Sequence, residues 1–354
     1  MNDTRELKHD RVSGARSPQD WVRCLARYRD PLPRKTAWSL CNTLVPFALL
    51  WFCAWSALTV SPLLALALSL PIGFFLMRIF CIQHDCGHFA LFRTRPANTW
   101  TGRILSLLTF TPHGLWCRMH GAHHAGHGNL DARDLGEVLT LTVWEYEAKS
   151  PIGRLAYRVY RHPLFLFGLA PFLLFFIKYR LPFGLWRDGR CWASAMGLNL
   201  SLAILISAMV ALGGWAPVFV ILFPSVLVGA TAGVLTFFVQ HQFEETYWAQ
   251  AQDWQVHEAA LAGSSYVDLP RWLAWFTANI SVHHVHHLYA RIPFYRIPEV
   301  LRDYPELREI NRISLRESLR SVRFHLWDPQ RQKMVSFSEE GQRRALSAKV
   351  RAPV

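Results

Sequence analysis

Residues 37 to 82 read AWSLCNTLVPFALLWFCAWSALTVSPLLALALSLPIGFFLMRIFCI, with a single charged side chain, Arg78, near the end. Two apolar runs fill this stretch, Ala37 to Thr59 and Leu63 to Ile82, and only the uncharged turn Val60-Ser61-Pro62 separates them. A bilayer core about 30 Å thick needs about 20 apolar residues in a helix, so each run is long enough to cross. The pair predicts a helical hairpin through a membrane. A second pair repeats the pattern, Trp192 to Leu212 and Pro217 to Val239, joined by the uncharged turn Gly213 to Ala216. Pro46, Pro71 and Pro224 lie inside these runs, which membrane helices tolerate because their neighbours satisfy the freed backbone groups. Of the 354 residues, 51% are hydrophobic and 18% charged, against about a quarter charged in a soluble chain. That balance excludes an ordinary soluble two-domain protein. It predicts an all-α integral membrane fold of four transmembrane helices in two hairpins.

The formal charge of +13 becomes informative once it is placed along the chain. Nine Lys or Arg fall in residues 1 to 35, thirteen in 83 to 190 and fifteen in 240 to 354, while neither hairpin turn has any. By the positive-inside tendency, both termini and the long central segment are cytoplasmic. The charge therefore reports topology, not a nucleic-acid footprint. Residues 1 to 35 lack the early apolar core of a cleavable signal peptide and form a cytoplasmic N-terminal segment. The membrane domain is expected over 36 to 334, and the charged stretch 335 to 354 reads as a mobile C-terminal tail. One further apolar run, Leu164 to Ile177, is too short to cross, so an interfacial or re-entrant helix is expected there. The seven cysteines contain no Cys-x-x-Cys pair, which argues for reduced thiols with no disulfide or zinc framework.

Histidines carry the chemistry. His84 and His88 stand in Gln83-His-Asp-Cys-Gly-His, directly after the second run. His120, His123 and His124 stand in Trp116-Cys-Arg-Met-His-Gly-Ala-His-His, and His283, His286 and His287 repeat that spacing in Val282-His-His-Val-His-His-Leu288. Offsets of three and four put each set on one face of a helix, so each can present two or three imidazoles to one point. Neutral imidazole ligates iron, copper, zinc and nickel, and no thiolate cluster competes. Eight imidazoles exceed the needs of one ion, so two metals are the natural count, in a cytoplasmic helical cap. His241, at the cytoplasmic end of the fourth run, is a ninth candidate. Asn279 is a weaker one, direct or through water. His284 points off the shared stripe and is expected to be a donor to a ligand or simply solvated. Asp85 and Glu244 are candidates to orient ligand imidazoles, and His9, His113, His127, His162, His257 and His325 are given no metal role.

With these residues placed, the chain resembles the integral-membrane fatty acid desaturase superfamily, whose three histidine boxes read His-x-x-x-His, His-x-x-His-His and His-x-x-His-His. The likeness extends to Leu25 to Pro33, to Leu130 to Tyr146 with Asp131, Gly136 and Leu141-Thr-Val, and to Gln240-His-Gln-Phe-Glu, Gly263-Ser-Ser and Arg291-Ile-Pro-Phe-Tyr. These features resemble the bacterial acyl-lipid branch related to delta-12 (omega-6) desaturases and cover roughly residues 25 to 305. The resemblance implies a non-haem diiron centre, two Fe ions held by His84, His88, His120, His123, His124, His283, His286 and His287, with His241. It implies O2 as co-substrate and a cis double bond introduced into an acyl chain entering from the membrane, here a bacterial inner membrane. The sequence departs from the family pattern at 127 to 131, His-Gly-Asn-Leu-Asp, where small hydroxylated residues and Gly are expected. That loop bears on the substrate headgroup, not on the metal.

No Gly-rich nucleotide fingerprint, iron-sulfur cysteine set or His-Pro-Gly-Gly haem motif occurs in the chain. A separate electron carrier, ferredoxin or cytochrome-like, is therefore implied, and the basic cytoplasmic surface suits an acidic one. Box spacing leaves open a hydroxylase or ketolase of the same superfamily, acting on an alkane, sterol, carotenoid or acyl chain. A histidine-rich metal transporter or binding protein fits poorly, because the runs hold no ionisable residue before Arg78 and the histidines lie beyond the helix ends.

Overall fold

A computed structural model describes residues 16–133 and 136–342. Helix α1 (Pro18–Leu25) precedes the first hairpin, α2 (Pro33–Ala57) and α3 (Pro62–Gly87). Then come α4 (Arg95–Thr109), α5 (His113–Gly126) and α6 (Pro151–Arg161). The second hairpin is α7 (Gly189–Gly213) and α8 (Pro217–His241). Among the described residues the two hairpins supply four helices long and apolar enough to cross a membrane, and the bent pair Pro151–Arg161 and Leu164–Arg180 would add a fifth only if taken as one span.

Each spanning helix extends past its predicted segment at one end or both, although α2 stops at Ala57, two residues short of the expected Thr59. Ser61 caps α3 by accepting from the Leu64 amide at 3.4 Å, with Pro62 in the first turn. The expected turn is thus also a helix start, where a missing proline N–H costs nothing. At its other end α3 continues to Gly87, carrying the first histidine box into regular helix. Asp188 caps α7.

Helix α3 is central and packs against α2, α4 and α8. Its crossing with α8 depends on two glycines. A Cβ on Gly73 would stand 2.5 Å from the Val228 side chain, and one on Gly229 would stand 3.0 Å from the Gly73 carbonyl. Small residues let membrane helices approach this closely, where no hydrophobic force drives association. Arg78 is buried in the same helix. Its Nε donates to Thr43 Oγ1 at 2.8 Å and its guanidinium lies 3.9 Å from the centre of the Trp275 ring, tying α2 and α3 to the cap.

The short apolar run at 164–177 folds as two π-helical stretches, Leu164–Leu169 and Leu173–Ile177, flanking Ala170–Phe172. It is bent by 55° from α6.

The cap contains α9 (Val256–Ala262), α10 (His283–Leu288) and α11 (Ile297–Asp303). Short strands brace it: β1 (Leu141–Thr142), β2 (Tyr266–Asp268), β3 (Arg312–Ser314), β4 (Leu326–Asp328) and β5 (Lys333–Val335). β1 runs parallel to β4 and β4 antiparallel to β5, while β2 and β3 form a separate parallel pair. Helix α1 buries Trp21 and Leu25 against Val285, Val300 and Leu307, so this part of the N-terminal segment belongs to the cap. Residues 335–342 depart from the expected mobile tail. Val335 is buried in the β4 pairing, Phe337 packs 5.3 Å from the Tyr146 ring, and helix follows to residue 342. Two well-placed apolar side chains outweigh the segment's polar composition.

Candidate metal centre

Four pieces of chain bring the histidines together. The last turn of α3 carries His84, and His88 follows at its C-cap. Helix α5 carries His120, His123 and His124, α8 ends on His241, and α10 begins at His283. The His283 amide donates to the Ser265 carbonyl at 3.0 Å, which fixes the start of α10 beside β2.

All nine candidate imidazoles meet, and they divide into two groups. His84, His88, His120, His124 and His286 form one, and His123, His241, His283 and His287 the other; within each, ligand atoms lie within 4.8 Å of one another. Each box presents two of its imidazoles to one point, as its spacing predicts, and sends any third one elsewhere. His120 and His124 go together, as do His283 and His287, while His123 and His286 cross to the opposite group. Helical geometry explains this: with 3.6 residues per turn, i and i+4 differ by about 40° around the axis, whereas i+3 lies about 60° to the other side.

The Nε2 atoms approach closely. In the first group the separations are 3.0 Å for His88–His120, 3.1 Å for His120–His124 and 3.0 Å for His124–His286. In the second they are 2.9 Å for His241–His283, 3.1 Å for His283–His287 and 3.2 Å for His287–His123. A neutral imidazole carries one proton, so His120 and His124 cannot satisfy two such neighbours each by hydrogen bonding alone. Nitrogens about 2.1 Å from a shared ion and at right angles about it stand about 3.0 Å apart, which matches these spacings. His84 adds two buried ring nitrogens with no hydrogen-bond partner among the described residues. The donor set therefore fits a pair of imidazole-bound metal ions. Burial, reinforced by neighbouring imidazoles, holds His120, His124, His283, His286 and His287 well below the usual histidine pKa. They stay neutral, the state a ligand needs.

Two residues without a sequence-based role stand behind the second group. Glu137 Oε1 accepts from His123 Nδ1 at 3.2 Å and from His127 Nδ1 at 2.9 Å. Burial opposes ionisation of Glu137, but these hydrogen bonds outweigh it and bring its carboxyl down to about 2. His127 Nε2 reaches the Gly263 carbonyl at 2.8 Å, and that oxygen also receives His241 Nδ1 at 3.3 Å. Spacing gave one unused signal, since His127 follows His123 at i+4. Gly136, at φ 80°, turns the chain so that Glu137 points inward; a Cβ there would meet the Met119 carbonyl at 3.1 Å.

The other candidates fall elsewhere. Asp85 accepts from the Phe294 amide at 2.8 Å and stands 3.6 Å from His84 Nδ1. Glu244 pairs with Lys333 at 2.7 Å and makes no ion pair with an imidazole among the described residues. Asn279, at φ 55°, donates to the Phe294 carbonyl at 3.3 Å. His284 is fully buried, not solvated, near the Tyr266 ring. The seven cysteines are free thiols.

The family model for fatty acid desaturases matches residues 60–317. This chain belongs to the fatty acid desaturase family. It is 38% identical over 314 residues to a fatty acid desaturase of Bacillus subtilis (strain 168), covering 88% of this chain and 89% of that one. Over 224 residues, 62% of each chain, it is 27% identical to an sn-1 oleoyl-lipid 12-desaturase of Synechocystis. An sn-1 acyl-lipid omega-3 desaturase (ferredoxin) from the same organism is 23% identical over 225 residues, 62% of this chain and 61% of its own. As a fatty acid desaturase the chain is an oxidoreductase of membranes and acyl chains. Next to its histidines this desaturase has a cavity of about 380 Å³, walled by Met77, Phe80, Trp116, Leu174, Phe237 and others, and reaching His84, His120 and His283.

Proposed function

We propose that this desaturase uses O2 and two iron ions to introduce a cis double bond into a long acyl chain. The observation that carries this reading is the apolar cavity meeting both histidine groups. It is mostly hydrocarbon-lined, and each methylene moved into it from water gives about 0.8 kcal/mol, so a chain binds with few polar contacts. His84, His88, His120, His124 and His286 hold one ion and His123, His241, His283 and His287 the other. Bound iron supplies the oxidation: two adjacent methylenes lose two hydrogens, and O2 with two further electrons and two protons leaves as two waters. The protein's own part is to keep the imidazoles neutral and convergent, to orient His123 and His241 from behind, and to hold the chain in a dry cleft.

The two electrons come from a separate ferredoxin or cytochrome-like carrier that docks on the basic cytoplasmic face. The charge distribution supports four crossings of a bacterial inner membrane, with both termini and the metal centre in the cytoplasm. The 55° bend after α6 supports the reading of 164–177 as an interfacial segment.

Expression in a host lacking the product, with fatty-acid profiling, tests the reaction. A new cis-unsaturated acid is expected, and a hydroxy acid would replace this reading with that of a hydroxylase. Metal analysis after anaerobic reconstitution tests the centre separately. About two irons per chain are expected, and zinc retained in place of iron defeats the assignment.

A further inference from the structure

The acyl cavity has one charged side chain that its own fold leaves unused. Of the residues lining it, Lys178 alone is exposed. Its ammonium group makes no ion pair or hydrogen bond among the described residues. Glu137, the other charged group in the wall, is taken up by His123 and His127.

Lys178 sits where a mouth would be. Leu166, Ala170, Leu174 and Lys178 recur every fourth residue along the bent segment from Leu164 to Lys178, and all four line the cavity. At one end of this stripe, Leu166 packs with Phe238 and with Val239, which lies two residues before His241. Twelve residues further, the stripe ends on Lys178. The wall therefore runs from beside the metal centre to a cation at the surface. Its flanks are apolar and exposed: Leu164 at 78%, Leu169 at 48%, Ile177 at 49% and Leu181 at 37%. Such flanks belong in lipid, with a lysine at their edge extending to the headgroup level.

We infer that Lys178 receives the phosphate of a membrane phospholipid whose acyl chain fills the cavity. The inference rests on the desaturase reading for what happens to that chain, and adds which side chain receives its head. A chain threaded towards the histidines leaves its polar head at the mouth, and the unpaired ammonium selects an anionic head. Anchoring the phosphate also sets how far along the chain the metal centre lies. A phosphate on coenzyme A offers the same chemistry from the aqueous side, but the lipid-facing flanks favour lateral entry from the bilayer.

The test is binding without turnover. Delipidated full-length protein in maltoside micelles is offered dioleoylphosphatidylglycerol, dioleoylglycerol or oleoyl-coenzyme A, and retained ligand is counted by native mass spectrometry. The wild type should hold phosphatidylglycerol about tenfold better than dioleoylglycerol, the gain expected of one charge-assisted contact. Lys178→Gln should erase that preference while leaving dioleoylglycerol binding unchanged, and Lys178→Arg should restore it. Equal preference in Lys178→Gln and wild type overturns the assignment, as does tighter wild-type binding of oleoyl-coenzyme A than of phosphatidylglycerol. Failure of the desaturase reading shows differently: no unsaturated product, with lipid preference intact.

Discussion

The two histidine groups are built from the same kind of ligand yet held in different ways. The first has five imidazoles, and one of them, the buried His84, has no hydrogen bond on either ring nitrogen among the described residues. The second has four, and two of them, His123 and His241, are braced from behind through Glu137, His127 and the Gly263 carbonyl. A carboxylate behind a ligand imidazole fixes its tautomer and raises its basicity. Thus the second group gains in preorganisation what the first gains in ligand number. The difference shows that the two histidine groups are inequivalent before any ion binds, because the surrounding chain treats them unequally.

The strongest way to break this comparison is to remove one ligand from each side. His286→Ala and His123→Ala should each abolish double-bond formation, and metal analysis should show each retaining about one iron instead of two. Loss of both ions from either variant would mean that the groups act as one site. Next in size, Glu137→Gln should weaken the second site by about 10- to 100-fold in a chelator competition while the first keeps its affinity. A Mössbauer spectrum in which only one iron component shifts would locate the effect. Asp85→Asn touches the first group, but at 3.6 Å from His84 Nδ1 and without a hydrogen bond to it. Its effect on iron affinity should stay below about tenfold, and a larger loss than in Glu137→Gln would reverse the ranking of the two supports. Smallest is Glu244→Gln, which gives up a half-exposed ion pair with Lys333; melting should report a change of at most about 1 kcal/mol, with iron content unaltered.

Much of this molecule was legible because membranes impose simple demands. The four spans follow from run length and missing charge, and His241 was found by its position at the end of one of them. What escaped depends on how separate elements sit against each other. The division of His120 and His124 from His123 follows from helical angle only once α10 is placed opposite α5. Glu137 lies ten residues beyond His127, across a turn at Gly136, and nothing in its neighbourhood announces that it points inward. His127 was within reach, since it continues the i+4 series from His123. Residues 335–342 depart from what their polar composition predicts because Val335 is buried in the sheet and the half-buried Phe337 packs against the Tyr146 ring.

The close crossing of α3 and α8 links two distant parts of the protein. His84 is eleven residues beyond Gly73 on one helix and His241 is twelve beyond Gly229 on the other, about 17 Å along each axis. With the axes pinned at the glycines, the angle between the helices fixes how far apart these two histidines emerge. A bulky side chain in the middle of the bilayer would act as a wedge at a fulcrum, prising the two ligand groups apart from a position that touches neither metal nor substrate.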